Sequence, residues 1–224
     1  MGAFLDAWGD LVLGACCPGC GHPALGMCRE CAAGLRALQP GAVTRTLAGF
    51  PPTVAAGEYA GALRRVLLAA KERQALSQLP LLGRLLTRAV AGLLLGERPV
   101  GPVCLVPVPS VRARVIERGI DLTGTLAAGT ARRLRRCGVE VSVRFAVRLE
   151  RTPADQAGLG RTARIVNSSG AYRCVQPPPG SVVIVDDVVT TGATLAAMAT
   201  ALRTAGCLPV GAATVAHTAR RGSR

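Results

Sequence analysis

The sequence predicts an α/β protein: a parallel sheet flanked by helices, preceded by a small amino-terminal metal-binding module. Three observations carry this. Two short apolar runs, 103–108 and 182–185, are rich in β-branched residues and bounded by glycine and proline, the pattern of strands buried on both faces. Apolar residues at helical spacing fill 63–71, 79–95, 121–136 and 195–205, so strands and helices alternate. Near the amino terminus, Cys17, Cys20, Cys28 and Cys31 form two Cys-x-x-Cys pairs. The expected division is 1–40 for an amino-terminal helix and the cysteine module, and 41–224 for the main domain.

In chain order, Phe4, Leu5, Trp8, Leu11 and Val12 have the spacing of a short amphipathic helix. Two Cys-x-x-Cys pairs then offer four thiolates, which suits Zn²⁺ in a tetrahedral structural site. Gly19 and Gly21 ease the turn that aims successive sulfurs at one centre, and Cys16 is the substitute for Cys17. Disulfides are disfavoured in a reducing cytoplasm, and a redox pair needs only one Cys-x-x-Cys. Cys104, Cys137, Cys174 and Cys207 stand apart and are expected to pack as small apolar residues.

Pro40, Gly41, Gly49 and the Pro51-Pro52 pair mark a hinge over 39–52, and a strand is expected over 54–59. Lys71, taken alone, reads as a cation at a helix end. Residues 96–102 end the second helix. After the strand at 103–108, whose Pro107 and Pro109 predict irregular pairing at its end, come Arg112, Arg114 and Arg118. Three arginines in seven residues either converge on a doubly charged oxyanion such as pyrophosphate or simply form a solvated basic helix start. A strand is expected over 139–147, and the polar, basic stretch from Arg151 to Tyr172 is long enough for a flap that excludes water. A last strand over 208–215 leads to a basic tail ending at Arg224.

The chain is organised around Val182-Val-Ile-Val-Asp-Asp-Val-Val-Thr-Thr-Gly-Ala-Thr194. Adjacent carboxylates cannot be buried unpaired, so Asp186 and Asp187 are expected to emerge at the strand's carboxyl end to meet water, a cation or a hydroxyl-rich ligand. Thr190, Thr191, Gly192, Ala193 and Thr194 then lead into a helix whose free N–H groups and dipole suit a phosphate; the plainer reading is a polar turn with a threonine cap.

The 224 residues suffice for one substantial core plus an appendage, and half are apolar. Arg64, Arg65, Arg84 and Arg88 interrupt the apolar runs, so no membrane span is expected; Asp6 and Asp10 with no basic n-region argue against a secretory signal, giving a cytoplasmic expectation. The net charge of +14, carried by arginines and the single Lys71, attracts phosphates on small molecules or on nucleic acid, or else reflects a compositional bias toward arginine. Six aromatics scattered over the chain offer no obvious stacking platform for bases.

Residues 182–194 resemble the ribose-phosphate binding motif of type I phosphoribosyltransferases: four apolar residues, two acids, two apolar residues, then Thr-Thr-Gly-Ala-Thr. The resemblance implies that Asp186 and Asp187 hold the ribose hydroxyls of phosphoribosyl pyrophosphate (PRPP), and that Val188, Val189 and Thr190 to Thr194 bring the loop around its 5-phosphate. The cysteine cluster, Tyr59 with Lys71, Val106-Pro-Val-Pro109 leading to Glu117-Arg-Gly119, and Gln156, Leu159, Arg161, Arg164, Asn167 and Ala171-Tyr172 together resemble the ComF family over nearly the whole chain. That family's Arg-Gly-Phe-Asn-Gln appears here as Arg118-Gly-Ile-Asp121-Leu122.

The resemblance implies a type I phosphoribosyltransferase fold with a zinc finger, structural Zn²⁺, Mg²⁺ with PRPP, and a link to DNA uptake in competence or to DNA metabolism. It puts Lys71 and Arg118 with the PRPP site and makes Arg112 and Arg114 candidates for gripping the leaving pyrophosphate. The expected activity is transfer of phosphoribosyl to an unknown acceptor. Two other readings are kept: a non-catalytic accessory protein that binds single-stranded DNA or DNA-processing partners, and a PRPP-sensing regulator. An oligomer is compatible with all three.

Overall fold

The structure, a computed structural model, describes residues 16–72, 76–150 and 171–219, with the backbone alone at Arg114 and Arg118. The expected helix before Cys16, most of the expected flap and the basic tail from Arg220 lie outside the described residues.

Helix α1 (Arg29–Ala37) follows the cysteine turns. The main sheet is built from β1 (Gly41–Ala42), β2 (Thr53–Ala55), β3 (Val103–Pro107), β4 (Val141–Val143), β7 (Ser181–Val189) and β8 (Pro209–His217), in the spatial order β1-β2-β8-β7-β3-β4. Only the β1–β2 pair is antiparallel; all other pairings are parallel. A separate antiparallel pair joins β5 (Val147–Leu149) to β6 (Tyr172–Cys174).

Parallel neighbours need crossovers, and helices supply them. Helices α2 (Gly61–Glu72) and α3 (Leu79–Glu97) lie between β2 and β3, α4 (Arg112–Arg118) and α5 (Leu122–Arg136) between β3 and β4, and α6 (Ala193–Thr204) between β7 and β8. The β-branched alternation of β7 divides the core. Val183 and Val185 pack with α2, α3 and α5 on one face, while Val182 and Ile184 pack with Leu195, Met198 and Leu202 of α6 on the other. Helix α3 with the turn before it, Leu76–Glu97, is long and apolar enough to cross a membrane by composition, but Leu82, Leu85, Leu86, Ala89 and Val90 are fully covered and the helix packs on β2, β8 and α5.

Several elements differ from their sequence expectation for visible reasons. Residues 139–147 are not one strand: β4 and β5 belong to different sheets, parted where the Arg144 N–H bonds the Leu105 carbonyl and Phe145 turns outward, 63 % exposed. Pairing of β3 stays regular through Pro107, opposite Val185. The N–H that proline lacks would face β4, which has already ended; the Val108 N–H faces the other way and bonds the Val185 carbonyl at 2.9 Å. The expected hinge is a sheet edge instead, with β1 on β2 and the Val43 N–H bonded to the Thr53 carbonyl. The strand expected over 54–59 shrinks to β2 plus a bridge from Glu58 to His217. Cys137 is exposed rather than packed.

The order of strands creates a switch point. From β3 the chain crosses by α5 on one face to β4; from β7 it crosses by α6 on the opposite face to β8. The loops leaving β3 and β7 therefore diverge at their carboxyl ends, the crevice where open α/β sheets bind ligands.

Candidate functional site

The acid pair sits at that crevice, but within the strand rather than beyond it. Strand β7 runs on to Val189 because β8 pairs with it as far as His217, so both carboxylates inherit strand alternation. Successive side chains point to opposite faces. Asp187 points toward α2, where the Lys71 ammonium meets its Oδ2 at 2.7 Å with both side chains largely covered. Asp186 points to the face of β6 and α6, beside Tyr172. The Asp187 N–H also donates to Asp186 Oδ1 at 2.8 Å.

This geometry separates the two carboxylates electrically. Burial and then the neighbouring Asp187 charge push the Asp186 carboxyl up to about 8, against the pull of the Asp187 N–H and of Lys71. Asp186 is therefore the harder of the two acids to ionise, and a cation brought alongside would favour its charged form. Burial and the Asp186 charge likewise raise the Tyr172 phenol, while the Thr194 hydroxyl pulls the other way. Tyr172, Asp186 and Thr194 thus gather three hydroxyl-bonding groups from β6, β7 and α6.

After Val188 and Val189 the chain turns through Thr190, Thr191 and Gly192 into α6. Gly192 has φ of 88°, a left-handed conformation, and a Cβ there would stand 2.7 Å from the Phe50 ring. Glycine is required at this position by the backbone and by Phe50, not only by a ligand's approach. Ala193 N–H donates to Thr191 Oγ1 at 3.3 Å, and no side chain caps the helix at Gly192, which leaves the start of α6 open to an anion.

Arg45, which the sequence did not single out, fastens this turn: its Nε donates to the Thr190 carbonyl at 2.9 Å and an Nη to the Thr218 carbonyl at 2.6 Å. Arg45 and Phe50 both come from the segment between β1 and β2, about 140 residues away along the chain, so no local pattern in the sequence marks them.

Across the crevice, Arg112 begins α4 and is exposed. Arg114 and Arg118 share one side of that helix, and Arg112 starts from the other; the side chains of Arg114 and Arg118 lie outside the description. Asp121 caps α5, accepting from Gly124 N–H at 3.2 Å and from Ser110 Oγ at 2.9 Å through Oδ1. The next residue, Leu122, is buried in the core. Ile120-Asp121-Leu122 therefore serves to start a helix.

The cysteine cluster closes on itself. The sulfurs of Cys17, Cys20, Cys28 and Cys31 lie within 4.8 Å of one another, with Cys20 and Cys28 at 3.8 Å. A tetrahedral zinc with Zn–S bonds of ~2.3 Å separates its sulfurs by ~3.8 Å, so Cys20 and Cys28 already stand at that spacing and the set as a whole lies within about 1 Å of it. Backbone N–H groups prepare the thiolates: Gly19 and Cys28 donate to Cys17 Sγ at 3.4 and 3.3 Å, and Cys31 to Cys28 Sγ at 3.4 Å. Burial raises the Cys17 thiol, but the N–H groups of Cys28, Cys20 and Gly19 outweigh it and bring it down to about 6. Burial holds the Cys31 thiol up at about 12. Gly19 is pressed on Cys31, whose Cβ and Sγ would lie 2.8 Å from any Cβ added there. Cys16 is exposed and outside the cluster.

Helix α2 ties the two centres together. Arg65 Nε donates to the Gly19 carbonyl on one side of the helix, and Lys71 reaches Asp187 from its end. A cleft of about 410 Å³ opens between the cysteine turn and α2, lined by Cys17, Pro18, Arg65, Leu68, Glu72 and Gln78 among others, on the side of α2 away from the sheet.

A family model described as the phosphoribosyl transferase domain matches residues 125–224, which takes in most of α5, the acid pair, the loop at 190–194 and β8. The match begins after the Asp121 cap and does not reach the cysteine cluster. No curated protein matches the chain.

Proposed function

We propose that this chain binds PRPP at the carboxyl edge between β3 and β7 and transfers its phosphoribosyl group to an acceptor, releasing pyrophosphate. The observation that carries the reading is the acid pair, held on a parallel strand at a switch point, followed at once by an open helix start, inside the region that matches a phosphoribosyl transferase domain.

In this reading the carboxylates of Asp186 and Asp187 accept from the ribose hydroxyls, and residues 190–194 surround the 5-phosphate with N–H groups and hydroxyls. Lys71 keeps Asp187 oriented and lowers the negative potential that two adjacent acids would otherwise present to a polyanionic substrate. Arg112, exposed at the start of α4, and Arg114 and Arg118 further along that helix are the candidates for gripping the departing pyrophosphate. Breaking the bond between C1 and pyrophosphate develops positive charge on the ribose and negative charge on the leaving oxygens, and preorganised groups of both signs flank that bond. Mg²⁺, when bound with PRPP, supplies neutralisation of the pyrophosphate charge. The four cysteines hold a structural Zn²⁺. With these assignments the chain fits a cytoplasmic ComF-type protein linked to DNA uptake or DNA metabolism.

The test is pyrophosphate release from PRPP and Mg²⁺ in the presence of a panel of nucleobases, amines and metabolite extract. Release that requires an acceptor and disappears in Asp186→Asn/Asp187→Asn supports transfer. Tight PRPP binding without release under every condition replaces it with the PRPP-sensing reading.

A further inference from the structure

Helices α3 and α5 meet through small residues. Thr87 Oγ1 donates to the Gly83 carbonyl at 2.6 Å and lies 3.4 Å from Thr130 Oγ1, so the two backbones come close. The Arg133 guanidinium lies in the slot this leaves: a Cβ at Gly83 would be 2.9 Å from its Nη1, and one at Gly129 3.0 Å from the same atom. Arg133 Nη2 donates to the Pro80 carbonyl at 3.2 Å. Around it stand Arg84 from α3 and Arg132 and Arg136 from α5, all three exposed.

No acid offsets this group. Among the described residues the ion pairs are Lys71 with Asp187 and Arg173 with Glu150, both elsewhere. Burial and the charges of Arg84, Arg132 and Arg136 lower the Arg133 pKa, so the four guanidinium groups share one field. The carboxyl end of α5 accounts for part of the arrangement, because cations are stabilised there. That account does not extend to Arg84, which stands in the second turn of α3, a helix with no acid in its first turn. An anion is what the seam lacks.

We propose that the α3–α5 seam, through Arg84, Arg132, Arg133 and Arg136, is a docking surface for the phosphate backbone of a nucleic acid strand. Arg132 and Arg136 are a helical turn apart, with Cβ atoms about 5–6 Å from each other, which suits a row of regularly repeated monoanions better than one compact anion. No large apolar side chain is exposed on α5 among the described residues, as a lipid-binding face would need. No aromatic side chain of the described residues lies on α3 or α5, so the surface reads charge and not base sequence. Helix α5 starts at the carboxyl edge of the sheet and, over its 15 residues, carries the arginines ~20 Å toward the opposite edge. The seam and the acid-pair crevice are separate, so the proposal stands or falls independently of PRPP binding.

The experiment is anisotropy titration of a labelled single-stranded oligonucleotide of mixed sequence against the full chain over a range of KCl concentrations. The expected result for Arg84→Gln/Arg132→Gln/Arg136→Gln is at least tenfold weaker binding at low salt and a slope of log K against log[KCl] shallower by about two units, ~0.7 for each contact removed. The corresponding triple lysine variant should recover most of the slope. Because the three positions are exposed and mutually repelling, the glutamine variant should unfold no earlier than the wild type. Four results overturn the proposal: no oligonucleotide binding by the wild type, an unchanged slope in the glutamine variant, loss of binding instead in Arg29→Gln/Arg36→Gln, at the two exposed arginines of α1 beside the cysteine cluster, or binding to phosphatidylglycerol vesicles that depends on Arg84, Arg132 and Arg136 while oligonucleotide binding does not.

Discussion

The cysteine cluster and the acid pair are both gatherings of groups that prefer to be anions, and they resolve the crowding in opposite ways. At the cluster, thiols are the whole inventory. Backbone N–H groups bring Cys17 down to about 6 while burial leaves Cys31 at about 12, and no cationic side chain bonds the sulfurs among the described residues. At the acid pair the fold supplies its own counter-charge, Lys71 on Asp187, and burial pushes the Asp186 carboxyl up to about 8. The first arrangement offers four sulfurs to a metal ion and brings no counter-charge of its own; the second already carries a cation on one of its acids.

The sharpest way to break the contrast is to remove the metal. Chelation, or Cys28→Ser, should unfold residues 16–38 while leaving the main sheet intact, because so short a segment has little apolar surface of its own and structural zinc carries most of its folding free energy. Amide exchange would show the loss confined to that segment; unchanged protection there, or no zinc by metal analysis of protein purified without chelator, would contradict the assignment. Since Arg65 of α2 bonds the Gly19 carbonyl, some loosening of α2 should accompany the loss.

That difference also explains what the sequence made legible. The cluster is local: all four cysteines fall within 15 consecutive residues, and their spacing alone marks them as a group. The strand, the acids and the loop at 182–194 are local too. What closes the site is not. Lys71 reads as a helix-end cation until the fold brings it to Asp187, and Arg45 and Phe50 reach the loop at 190–192 from the far side of β8. The positions of the two acids within β7 followed from the length of β8, which pairs through His217 and extends β7 past the point where polarity suggested an end. The regular pairing at Pro107 is hidden from the sequence for a similar reason: whether a missing N–H matters depends on which neighbour it would face.

A smaller effect is expected at Gly192. Gly192→Val combines a left-handed φ with a Cβ driven into Phe50, and should cost about 2–4 kcal/mol in denaturant-measured stability. Phe50→Leu in the same chain should recover the steric part. Full recovery would mean that φ contributes nothing, and no loss at all would mean that the turn rearranges freely.

The pH dependence of stability is smaller still. Unfolded Asp186 ionises near 4, whereas the native carboxyl retains its proton to about 8, so the native state binds more protons in between and this residue's contribution to stability declines as pH rises through that window. Denaturation at pH 5 and pH 8 should show Asp186→Asn gaining on the wild type at the higher pH. A constant difference between the two proteins would show that Asp186 ionises normally.

The central claim is that the acid pair is a ligand site and the cysteine cluster is not. It is tested most directly by calorimetry of PRPP with Mg²⁺ on the zinc-loaded wild type and on Asp186→Asn/Asp187→Asn, which keeps side-chain volume while removing both charges. The expected result is binding by the wild type and at least a tenfold loss in the variant, with its zinc content unchanged. Equal PRPP affinity in the two proteins would contradict the placement.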